Sequence, residues 1–105
     1  MSVNREQNEG HSIVRLEGEL NVTSAADLRN LLLEGLGAGK ELHLDLERVT
    51  EIDITVLQLL WAAGCEAQRT GATIVGRVSE AAAAAAREAG FERFPGIRDS
   101  GLTDG

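Results

Sequence analysis

Residues 42–71 read LHLDLERVTEIDITVLQLLWAAGCEAQRTG, and this stretch decides the fold. Leu42, Leu44 and Leu46 alternate with His43 and Asp45, the period of a half-buried strand. Val49, Ile52 and Ile54 continue apolar through a polar turn region. A helical pattern then runs from about Thr55 to Thr70, and Gly71 can take the left-handed conformation that stops a helix. At the junction, Asp53-Ile54-Thr55-Val56 sets a carboxylate and a hydroxyl at a helix N-terminus. Backbone N–H groups are unpaired there, and a partial positive charge is exposed.

Upstream, residues 1–10 form a polar segment or edge strand. Ser12–Leu16 reads as a strand, with Leu20 its continuation after Glu17-Gly18-Glu19. Thr23 or Ser24 suits a helix N-cap, with Asp27 in the first turn and Leu28, Leu31, Leu32 and Leu36 on one face. Gly35 to Lys40 superficially resembles a phosphate loop. Glu34 and Glu41 stand where that loop needs Gly and Ser or Thr, and the segment follows a helix instead of a strand. It is therefore expected to be a helix-to-strand turn.

Downstream, Ala72–Val75 reads as a short strand. Ser79 caps a last helix from Glu80 to about Ala89, and Gly90 ends it. Phe91 and Phe94 pin its end, residues 11–95 make the domain, and 96–105 are expected to be a disordered tail. Alternation of strand and helix implies parallel pairing with right-handed crossovers, an α/β fold.

A chain of 105 residues builds one domain with a modest core. Its net charge of −7 excludes nucleic acid and anionic membrane as main partners and suits a protein with a basic face. No apolar run is long enough for membrane insertion. The polar N-terminus holds no signal-peptide core, and the single cysteine, Cys65, permits no internal disulfide. Together these point to a reducing, cytoplasmic location. Oligomeric state is not encoded in any of these features.

Signals for an enzyme are thin. His11 and His43 lie far apart, and no His, Cys or carboxylate set has metal-ligand spacing, so neither metal nor cofactor is expected. Cys65 sits mid-helix with no adjacent base and reads as a buried structural thiol. Asp45, Glu47, Glu51 and Asp53 form an acidic strip that reads as solvated surface. On the central helix the apolar arc is wide, so Leu59 or Trp61 is a candidate partner contact. The alternative for Trp61 is burial in the core, where large aromatics usually lie. Thr55 has two roles open to it: helix cap, or a reactive hydroxyl with Asp53 capping instead.

The junction LDLERVTEIDITVL resembles that of the STAS domain, the family of bacterial anti-sigma factor antagonists. The likeness spans residues 10–95 and includes Gly18-Glu19-Leu20 before the first helix. In that family a strand ending Leu-Asp-Leu leads to Asp-Ser-Ser-Gly-Leu at a helix start. Here Ile54-Thr55-Val56-Leu57 replaces Ser-Ser-Gly-Leu, so the first hydroxyl and the glycine are absent. The resemblance implies a mixed sheet of about four strands with α-helices packed mainly on one face. It implies phosphorylation at Thr55, supported by Asp53, Ile54 and Val56, with Asn21 and Glu51 among the partner contacts beside Leu59 and Trp61. The implied partner is an anti-sigma factor with serine-kinase activity, bound until phosphate weakens the complex. A second implied role is a phosphorylation-independent adaptor in a chemotaxis-type signalling cluster or a lipid-transport ABC system. A third, weak nucleotide binding, rests on the fold alone.

Overall fold

Strand β3 (Glu41–Ile52) is the centre of the molecule. Its Leu42, Leu44 and Leu46 are fully buried, each worth roughly 1.5–3 kcal/mol relative to exposure. The computed structural model describes residues 2–8, 11–38 and 41–97. Around β3 lie β1 (Ser2–Asn8), β2 (His11–Leu20) and β4 (Thr73–Val78) in the order β1-β2-β3-β4. β1 pairs antiparallel with β2, and the other two pairings are parallel. Helices α1 (Ala25–Ala38), α2 (Ile54–Thr70) and α3 (Glu80–Glu88) complete an α/β fold.

Alternation along the strands separates two faces. Val14, Leu16, Ile74 and Val78 join the β3 leucines in one core with Leu28 and Leu32 of α1, Val56, Leu57 and Leu60 of α2, and Ala82, Ala83 and Ala86 of α3. Intervening positions on the strands are half-buried or exposed and carry ion pairs, such as Arg15 with Asp45 at 3.7 Å and Arg77 with Glu47 at 3.5 Å. His43, on the same face, lies 2.9 Å from Glu41 through Nε2.

Several elements differ from the sequence expectation. β3 does not stop at a turn after Leu46 but continues to Ile52, because β2 stays paired alongside it through two register shifts. Gly18, at φ 86°, sits between those shifts. β4 likewise extends to Val78, paired with Leu46. The expected turn at Gly35 is instead the last part of α1. A side chain at Gly35 would come within 2.7 Å of the Leu42 Cδ1, so glycine there lets the helix close on β3.

The first helix is preceded by a 3₁₀ turn, Val22–Ser24, capped by Asn21 rather than by Thr23 or Ser24. Gly96 and Ile97, the first two residues of the expected tail, are packed on the domain. Phe94, Pro95 and Ile97 are buried, and this segment straps across α2, where Gly96 meets Gly64. The rest of the predicted tail, from 98 to 105, lies outside the described residues. Among the described residues no helix is long and apolar enough to cross a membrane.

Candidate functional site

The site lies at the carboxyl ends of the parallel strands, where open α/β sheets leave a crevice. Two chain crossings are tied together there. The Asp53 N–H donates to the carbonyl of Leu20 at 3.0 Å, which holds the β2–α1 connection against the start of α2. Asn21 therefore stands next to the Asp53 turn. Its Oδ1 accepts from the Thr23 N–H at 3.0 Å and from the Thr23 hydroxyl, which stiffens the 3₁₀ turn.

Asp53 is the N-cap of α2, with extended backbone at φ −96° and ψ 171°. Its Oδ1 accepts the Val56 N–H at 3.1 Å, while its carbonyl accepts the Leu57 N–H at 3.1 Å. A cap of this kind stabilises by about 1 kcal/mol. The consequence for Thr55 is direct. It is exposed in the first turn of α2, and its hydroxyl makes no hydrogen bond among the described residues. Of the two roles open to Thr55 in the sequence, capping belongs to Asp53.

The neighbours of Thr55 divide sharply. Val56 is 0% exposed and anchors the turn in the core. Ile54, on the other side, is 52% exposed. Along α2, Ile54, Gln58, Trp61 and Cys65 are all exposed and recur at spacings of four, three and four, which places them on one stripe. Trp61 is 57% exposed, so it does not fill the core. Cys65 is exposed as well, contrary to the expected buried thiol.

Leu59 has a different placement. It is half-buried against the core and lines a small apolar hollow of about 160 Å³ with Leu33 and Leu36 of α1. Sequence reasoning missed one residue, Val22, which is 62% exposed in the 3₁₀ turn next to Asn21. Its signal was an apolar residue between two capping-type polar ones. The structure thus gathers Asn21, Glu51, Asp53, Ile54 and Thr55 at one end, leaves Trp61 further along the helix, and turns Leu59 toward α1.

Charge follows the same division. Asp45 and Glu47 each face an arginine across the sheet. Glu51 and Asp53 have no ion pair among the described residues. Among the described residues the Thr55 end is therefore acidic without a paired cation. Further along α2, the Glu66 carboxyl is held below its ordinary value of 4.5 by its hydrogen bond to Arg69, 2.6 Å away.

The family described as "Mlab, STAS domain" matches residues 3–99. This chain belongs to that STAS domain family. Solved structures that share its fold include two anti-sigma factor antagonists. The crystal structure of an anti-sigma factor antagonist from Mycobacterium paratuberculosis superposes with a TM-score of 0.68 at 23% identity, covering 85% of this chain and 77% of that one. The unphosphorylated form of the anti-sigma factor antagonist SpoIIAA superposes with a TM-score of 0.70 at 17% identity, covering 94% of this chain and 89% of that one. No curated protein matches by sequence.

Proposed function

We propose that the chain is an anti-sigma factor antagonist-like signalling module with Thr55 as its phosphoacceptor. The observation that supports this most is the division of labour at the α2 start. Asp53 makes the cap, and the Thr55 hydroxyl is left exposed and unbonded among the described residues. The fold shared with two anti-sigma factor antagonists supports the class of partner.

The kinase and its ATP site belong to the partner, so this chain is a substrate and binding module and not an enzyme. Both act in the cytoplasm, where ATP is available. The Thr55 Oγ attacks the γ-phosphorus of ATP, its proton passes to a base on the partner, and ADP leaves. The product carries about −1.5 to −2 additional charges. The N-terminus of α2 tolerates them locally. Across an interface the same charges must be desolvated beside Asp53 and Glu51, so the complex weakens while the domain stays folded.

Partner binding by Thr55→Glu and Thr55→Ala tests the switch. The expected result is wild-type affinity for Thr55→Ala and a loss of roughly tenfold or more for Thr55→Glu, equal to about 1.4 kcal/mol. Wild-type affinity for both would remove the charge switch.

A second reading is a phosphorylation-independent adaptor of a chemotaxis-type cluster or a lipid-transport ABC system. Its support is the apolar exposure of Val22, Ile54 and Trp61 around and beyond the turn, together with the Mlab description of the family. In that case Trp61→Ala abolishes complex formation while both Thr55 variants bind normally.

A further inference from the structure

The other end of α2 carries a groove that the Thr55 site does not use. It is open to solvent along one side and has a volume of about 480 Å³, against the roughly 300–1,000 Å³ typical of small-molecule sites. Three segments distant in sequence build it. Trp61, Cys65 and Gln68 come from α2, Thr73 opens β4, and Arg93 and Phe94 come from the C-terminal strap. The strap can lie this close because Gly96 packs on the Leu60 carbonyl and on Gly64, where a side chain at either glycine would collide.

The chemistry of the lining is unusual for this protein. The chain has 17 aspartates and glutamates, yet none of them lines the groove among the described residues. Arg93 is exposed and makes no ion pair or hydrogen bond among the described residues. Arg15, Arg48, Arg69 and Arg77 each face a carboxylate; Arg29 and Arg87, like Arg93, make no ion pair among the described residues, but neither lines this groove. A guanidinium presents a planar fork that matches a carboxylate. Beside it stand an exposed indole, a buried phenyl ring, and the hydrogen-bonding side chains of Gln68 and Thr73.

We infer that this groove binds a small amphipathic carboxylate, its apolar body against Trp61 and Phe94 and its anionic head on Arg93. The protein supplies its own reporter. Trp61 is the single tryptophan and there is no tyrosine, so indole emission comes from the rim of the groove alone.

Octanoate titrated into the full chain is the test, with 1-octanol as the uncharged control of equal length. Expected is a saturable change in Trp61 emission with octanoate, weaker binding of octanol, and a Kd raised roughly three- to tenfold in Arg93→Gln, as befits an exposed charge contact. Backbone amide shifts should cluster at Thr73 and Gly96. Circular dichroism of Arg93→Gln confirms that the variant is folded, which its exposed position favours. Absence of saturation, equal binding of octanol, or an unchanged Kd in Arg93→Gln overturns the assignment. The measurement uses this chain alone, so its outcome is independent of Thr55.

Discussion

The two ends of helix α2 are built in opposite ways. Its start is fixed by neighbours in sequence: Asp53 accepts the Val56 N–H, and Val56 is buried three residues away. Its second half is fixed by a strap more than thirty residues on, where Gly96 seats against Leu60 and Gly64. The first end keeps its backbone rigid while presenting an exposed hydroxyl. The second end gets its shape from the close approach of two backbones, and that approach leaves a groove. A single helix thus offers a small, chemically defined tip and a broad, tertiary-built flank.

Substitution at either end can break this contrast. Gly96→Val should have the largest effect. The residue has φ +83°, and a Cβ there would lie 2.1 Å from the Leu60 carbonyl oxygen. Overpacking of that kind costs roughly 1–3 kcal/mol, read as a lower urea midpoint. Hydrogen exchange should quicken around Gly64 and the strap while the Asp53 turn stays protected. An unchanged midpoint would mean that the strap does not hold the flank.

Asp53→Ala should cost less, about 1 kcal/mol, and its exchange signature should be the reverse, with faster amides at Val56 and Leu57. A loss confined to the C-terminal half of α2 would contradict the local account of the cap.

Smallest is the effect of Glu66→Gln, on the solvent-facing side of the second half of α2. The folded carboxyl is held below 4.5 by Arg69, so the pair contributes stability above the unfolded value of that group. That contribution is lost as pH falls through the folded pKa. The wild type should therefore lead Glu66→Gln slightly at neutral pH, with the lead shrinking once pH drops below 4.5. A constant difference across that window would show that Arg69 is not the cause.

The contrast also explains what could be read from the chain. The Gly71 stop at φ 82° and the Ser79 cap are chemistry of adjacent residues, and each was visible in sequence, whereas the α2 cap stood open there between Thr55 and Asp53 and falls to Asp53. The extension of β3 through Glu47–Ile52 was not, since those polar residues are strand only because β2 follows them through two register shifts. Gly35 and Gly37 carry the composition of a turn, yet α1 runs on because Gly35 meets Leu42. Exposure of Cys65 was equally hidden, and that of Trp61 was one of two open alternatives. A wide apolar arc does not reveal which part the sheet covers, and here α1, α3 and the strap leave one stripe of α2 open. At the candidate site, Asp53 and Thr55 stood out locally, whereas the approach of Asn21 depends on the Leu20–Asp53 hydrogen bond across thirty-odd residues.

The central claim is that the exposed hydroxyl of Thr55, unbonded among the described residues, is a phosphoacceptor. Peptide mass spectrometry of the protein isolated from its native cells under several growth conditions tests this directly. The account predicts a single added phosphate on the peptide containing Thr55, absent from the same peptide in a Thr55→Ala strain. A chain that is unmodified in every condition, or that carries phosphate elsewhere and not at Thr55, would contradict it and leave α2 as the surface of a constitutive adaptor.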